Sequence, residues 1–144
     1  MGGRGASSGR AGGNSVNIQF TQGNQQVRIT RFVIDKDGAN SVKAQSRGLG
    51  QDWKDITDSN RLRGLRSRAD AMKKYDKTST ADLQSRMKTL ESNRNSSYDS
   101  MTKVASSKTG SLVSKIADMD TEIAVIKSVL QNRKYNQKKV GGSL

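Results

Sequence analysis

The chain has 144 residues, 31% of them hydrophobic and 4% aromatic, which is enough for one modest core and not for several. Lys and Arg number 26 against 13 Asp and Glu, a formal net charge of +13 that suits association with phosphate-rich or acidic surfaces. Cysteine and histidine are both absent, which removes disulfides, thiolate or imidazole metal sites and every nucleophile and base scheme built on those side chains.

Residues 1–15, MGGRGASSGRAGGNS, are Gly, Ser and Arg with almost nothing to bury. They are expected to form a disordered leader able to lie against phosphates through Arg4 and Arg10. The opening lacks the apolar core of a signal peptide, and no run approaches the ~20 apolar residues of a membrane span, so an intracellular protein is expected. Over 16–47 the pattern predicts a three-stranded antiparallel meander. Val16, Ile18 and Phe20 alternate with polar residues, Gly23 centres a turn, and Val27, Ile29, Phe32, Val33 and Ile34 make a second β-rich run. Asp37-Gly38 has type I′ turn chemistry and leads into a weaker third strand with Val42 and Ala44.

Gly48-Leu49-Gly50 breaks the alternation and opens a helical region over 48–135. Trp53 is expected as an apolar bridge between sheet and helices, the other reading being an exposed ring that stacks on a base. Asp58 is a good N-cap for a first helix, about 58–75, on which Leu62, Leu65, Ala69 and Met72 recur at helical spacing. Ser79, followed at the third position by Asp82, starts a second helix over about 80–105 with Leu83, Met87, Leu90 and Met101 on one side. The polar stretch SNRNSSY is expected to bend or break it, and SSKTGS to reverse the chain. Leu112, Ile116, Met119, Ile123, Ile126 and Leu130 then alternate spacings of four and three, predicting a long helix over about 111–135 that pairs with the second as an antiparallel hairpin. Val125 and Val129 lie off this stripe and are assigned to the first helix, the sheet or a second copy of the protein. Residues 136–144 read as a flexible basic tail. The fold class is α+β: a three-stranded β-meander followed by three helices.

Catalytic chemistry finds no foothold. Asp35-Lys36-Asp37-Gly38 starts like a calcium loop, but its Gly is fourth where such a loop needs it sixth, so a turn is expected. Gly48-Leu49-Gly50 lacks the third Gly of a dinucleotide fingerprint. The carboxylates at Asp52 and Asp55, and at Asp118, Asp120 and Glu122, read as solvated surface charge. With two Glu and no His, nothing singles out a general acid or base, so a non-enzymatic protein with no cofactor and no metal is expected.

The densest positive segment is 61–77, where Arg61, Arg63, Arg66, Arg68, Lys73, Lys74 and Lys77 outnumber Asp70 and Asp76. On a helical wheel Arg63, Arg66, Lys73, Lys74 and Lys77 fall within about 100° of one another beside the apolar face, which makes a phosphate-facing stripe possible. The other reading is a solvated face that keeps the helix soluble. Arg133, Lys134, Lys138 and Lys139 form a second patch around Tyr135. No zinc-finger, helix-turn-helix or RNA-recognition aromatic signature occurs, so contact with backbone or shape is expected rather than base reading.

The leader Met1-Gly2-Gly3-Arg4-Gly5-Ala6-Ser7-Ser8-Gly9, together with the final helical pair from Leu83 to Leu90 and Ser114 to Arg133, resembles small basic accessory proteins of bacteriophages and prophages of Gram-positive bacteria. The resemblance implies a phage accessory protein, near head assembly or host-defence countermeasures, in a host bacterial cytoplasm; it carries over no functional residues. The leading expectation is a DNA- or RNA-associated binding protein. The alternatives are an anti-CRISPR-like inhibitor docking on a host ribonucleoprotein, and an oligomeric phage structural protein joined through the helical hairpin.

Overall fold

The computed structural model describes residues 15–104 and 106–143, the side chains of 106–108 and 138–143 excepted. The leader as far as residue 14 lies outside them. Strands β1 (Ser15–Gln22), β2 (Gln25–Ile34), β3 (Asn40–Arg47) and β4 (Lys54–Asp55) form an antiparallel sheet in sequence order. The meander therefore has one strand more than the alternation predicts. β4 is two residues long, too short for a period-2 pattern, and the backbone N–H of Ile56 extends its pairing by donating to Ala44 O at 3.0 Å.

Both hairpin turns use a glycine at positive φ. Gly23 takes φ 63° at the first position of the β1–β2 loop, where a side chain would be strained. In the β2–β3 turn Gly38 takes φ 81°, but Asp37 does not have a positive φ, so the expected type I′ turn is not formed. Instead Asp35 organises the loop. Its backbone oxygen accepts from Gly38 N, its N–H donates to Ala39 O, and its carboxylate accepts from Asp37 N and Ala39 N, both at 3.0 Å. An Asp that can satisfy two backbone donors outcompetes the two-residue turn.

Alternation places Phe20, Val27, Ile29, Val42 and Ala44 on one face of the sheet, all buried. Phe32 would fall on the wrong face by simple counting from Ile29. A bulge between Ile29 and Arg31 inserts Thr30, whose hydroxyl donates to Lys43 O, and this shifts Phe32 back onto the buried face opposite Val42.

The helices are α1 (Ser59–Lys73), α2 (Thr80–Met101) and α3 (Ser106–Ser143). Asp58 and Ser79 cap the first two as expected, accepting from Arg61 N and Asp82 N. Three expectations are corrected. α2 runs unbroken through SNRNSSY, because Asn and Ser in that stretch are poor helix formers but not breakers. The reversal falls after Met101, around Thr102 to Val104, and SSKTGS belongs to the first turns of α3; Gly110 costs roughly 1 kcal/mol there and does not stop a helix with so long an apolar stripe after it. At the other end α3 continues through the residues expected to be a flexible tail, as far as Ser143.

α1 and α3 pack on the apolar face of the sheet, with Leu65, Ala69 and Met72 from α1 and Ile126 and Val129 from α3 completing the core. α2 packs chiefly on α3. Their pairing is antiparallel: Thr80, Arg86 and Arg94 of α2 meet Arg133, Glu122 and Asp120 of α3 in descending order. α3 thus has two apolar faces. Ile123, Ile126 and the half-buried Met119 and Leu130 sit with Leu83, Met87 and Leu90 of α2 in the cluster, whereas Val125 lies beside Ala71 and Tyr75 and Val129 beside Phe32, Ala69 and Met72. The off-stripe valines face the first helix and the sheet, not a second copy. α3 also runs beside β1, where Asn132 and Gln131 side chains accept from the N–H groups of Gln19 and Thr21, each at 2.9 Å. No helix among the described residues is long and apolar enough to cross a membrane.

Ile126 is fully buried where both units of the core meet. Ile126→Ala is expected to destabilise the fold by about 2–5 kcal/mol in chemical denaturation, whereas Val113→Ala, at a half-exposed position further along the same helix, should stay within about 0.5 kcal/mol of the parent. Equal effects would mean that α3 is not the centre of the core.

Candidate nucleic-acid interface

The basic residues of α1 divide by what holds them. Arg63 ion-pairs with Asp35 at 2.6 Å and with Asp37 at 2.7 Å, tying α1 to the β2–β3 turn. Arg66 contacts Asp70 at 3.3 Å, donates to Ser41 O at 3.2 Å and lies over the Phe32 ring at 4.3 Å; Lys73 covers the same ring at 4.4 Å. Arg68 is half-buried and donates to Ser128 Oγ, and burial pulls its guanidinium below its usual value. Arg61 reaches Gln25 Oε1 at 3.1 Å. Arg133, on α3, donates to Tyr75 O and Thr80 Oγ1. These side chains fasten elements together, and the stripe that the helical wheel draws over α1 is largely engaged within the molecule. Lys74, Lys77 and Lys134 remain exposed without a hydrogen bond or ion pair among the described residues. The Lys138 and Lys139 side chains lie outside those residues.

The opposite face of the sheet carries a different set. Positions that alternate with the buried ones place Gln26, Arg28, Gln45 and Arg47 there, and the bulge brings Arg31 beside Lys43 on the same face. The helices pack on the other side, so no helix among the described residues covers it. Trp53, expected as a core bridge, is corrected to this outer face: it lies two residues before Asp55, which pairs with Gln45. The β3–β4 loop turns it back over the sheet through Gly50 at φ 71° and a Gln51 N to Gly48 O hydrogen bond. The guanidinium carbons of Arg28 and Arg47 lie 4.2 and 4.5 Å from its ring centroid. Such contacts favour a cation over an aromatic face and hold the side chains in place.

Two hydrogen-bonded chains fix the rest. Tyr135 Oη accepts from Gln26 Nε2, Gln26 Oε1 accepts from Arg47 Nε at 2.7 Å, Arg28 Nε donates to Gln45 Oε1, and Gln45 Nε2 donates to Asp55 Oδ1. Among the described residues none of Arg28, Arg31, Lys43 and Arg47 enters an ion pair. Arg31 and Lys43 are direct cross-strand partners, an arrangement that destabilises a sheet unless something anionic joins it. Arg28, Lys43 and Arg47 were accessible to sequence reasoning as the polar half of the alternation; Arg31 was not, because its facing depends on the bulge.

Comparison of the chain with protein-family models, curated proteins and solved structures gives no match.

The engaged carboxylates also set the acid response. The hydrogen bond from Arg63 holds Asp35 below its usual range, with Ala39 and Asp37 N–H groups adding to the effect, and Arg86 holds Glu122 low despite partial burial, with Tyr75 Oη donating to the same carboxylate. A carboxylate depressed in the folded state contributes stability above its unfolded value of about 4, and that contribution disappears as pH falls through the folded value. The melting temperature is therefore expected to fall below about pH 4. Arg63→Gln should lower it at neutral pH and flatten this acid-side decline, and an unchanged pH profile would show that the Arg63 pairs do not hold α1 to the turn.

Proposed function

We propose that the protein is a non-enzymatic nucleic-acid-binding protein that meets its ligand with the open face of the sheet. The observation that carries this reading is the set of four cations without an ion pair on one face, Arg28 and Arg47 over Trp53 and Arg31 with Lys43 further along, the last two in direct cross-strand register. A protein selected only for stability has no use for that pair. Phosphates supply the missing countercharge, and arginines already oriented by hydrogen bonds to Gln45 and Gln26 lose little further freedom on contact. Net charge alone would favour polyanions in general. The aromatic ring among the cations favours a polyanion that also carries flat bases. α1, the surface first suggested by charge density, is a weaker candidate because Arg63 and Arg66 are ion-paired with Asp35, Asp37 and Asp70. Lys74, Lys77 and Lys134 add long-range attraction.

The test is a salt titration of wild type and the Arg31→Gln, Lys43→Gln double variant on nucleic acid. Two lost phosphate contacts should reduce the magnitude of the log affinity against log salt slope by about 1.4 on single strands or 1.8 on duplex. The same variant should melt at an equal or higher temperature, since removing the cross-strand repulsion relieves about 0.2–1 kcal/mol. An unchanged slope together with unchanged affinity would take the sheet face out of the binding surface.

A further inference from the structure

We infer that the ligand of the sheet face is single-stranded nucleic acid, with Trp53 as a platform on which an unpaired base stacks. The inference rests on the nucleic-acid reading above and narrows it. A duplex offers a ridge of phosphates and hides its base faces in the stack, so an aromatic ring on a protein surface gains nothing from it without prising the bases apart. Reading a duplex usually needs a helix or ribbon that enters a groove. The helix with the highest charge density, α1, is packed by Leu65, Ala69 and Met72 against the other side of the sheet, and its Arg63 and Arg66 are ion-paired. The outer face, by contrast, presents polar side chains, with the one tryptophan of the chain over Arg28 and Arg47 beside the edge strand β4.

The placement of that ring is otherwise costly. Large aromatic side chains stabilise a fold by burial, yet Trp53 is half-buried on the face away from the core, at the end of a loop that needs a left-handed glycine to deliver it. What surrounds it is Arg28 and Arg47, whose planar guanidinium groups themselves stack on bases and reach phosphate oxygens. Further along the sheet, Arg31 and Lys43 stand where the backbone of the same strand would continue. A ring for the base, with Arg28 and Arg47 against it and Arg31 and Lys43 further along for the phosphates, is what a flexible single strand can satisfy at once. Neither contact reads base identity, so the binding should tolerate many sequences.

Because Trp53 is the sole tryptophan, its own fluorescence reports the contact. The full-length protein is titrated with a mixed-sequence oligonucleotide of about 12 residues, as ribose and as deoxyribose strand, and with the same deoxyribose strand annealed to its complement. The expected result is tight binding of the single strands with loss of tryptophan emission, weaker binding of duplex, and a drop of about 5- to 150-fold in single-strand affinity on Trp53→Ala with partial retention on Trp53→Phe. Quenching of the wild type does not depend on how well either variant folds. A preference between ribose and deoxyribose strands identifies a contact to the 2′-hydroxyl within the same inference. Binding of duplex as tight as that of single strands, with emission unchanged, overturns the stacking inference and leaves the backbone reading standing. Binding of neither overturns both.

Discussion

Helix α3 has to bury two faces at once, and the rest of the molecule is arranged around that requirement. An a/d stripe alone would satisfy one neighbour. Here Ile123 and Ile126 serve α2 while Val125 and Val129, at intervening positions, serve α1 and the sheet. A helix apolar on adjoining stripes cannot leave either side to water, so it joins the α2 arm and the sheet layer into one core cluster. The polar contacts follow the same axis: Glu122 gathers Arg86 and Tyr75, Ser128 receives Arg68, and Asn132 and Arg133 reach β1 and the end of α1. Small Ser128, almost fully buried, lets α1 approach closely, and its hydroxyl is satisfied by Ala124 O as well as by Arg68.

The excess of positive charge is therefore not one property but two. On the helix side arginine acts as a long, forked connector between elements, able to cover an aromatic ring with its stem while its head finds a carboxylate or carbonyl, as Arg66 does with Phe32, Asp70 and Ser41 O. On the outer side of the sheet Arg28, Arg31 and Arg47 form no ion pair among the described residues, and the acid on that face, Asp55, is bonded to Gln45. Charge density along the sequence measures the sum of both and does not separate them.

The elements with strong periodicity were legible from the residues: the three long strands, both capped helix starts and the α2–α3 pairing all follow from patterns in Phe20, Val27 and Ile29, in Asp58 and Ser79, and in Ile116 to Leu130. What could not be read depends on contacts remote in sequence. β4 exists because Ala44 offers a carbonyl to Ile56, the β2–β3 turn is dictated by a side chain rather than by the Asp-Gly pair, and the facing of Arg31 turns on one inserted threonine. The candidate site was obscured for a related reason. A helical wheel shows where Arg63 and Arg66 point but not that Asp35, Asp37 and Ser41 O lie across from them. Trp53 was weighed as core or as stacking ring, and only the pairing of Asp55 with Gln45 decides which face it takes.

The two amide side chains on β1 have a consequence for how the protein behaves among its own copies. An outermost strand normally shows a row of unused N–H and C=O groups on which another strand can assemble. Gln131 and Asn132 occupy two of those donors on β1, and at the far side of the sheet the outermost strand is only the two residues of β4. Among the described residues the β1 border thus has two of its donors already used, and β4 covers the end of β3 from Ala44 to Ser46. Strand addition by another chain at the β1 border would have to displace those two side-chain contacts first.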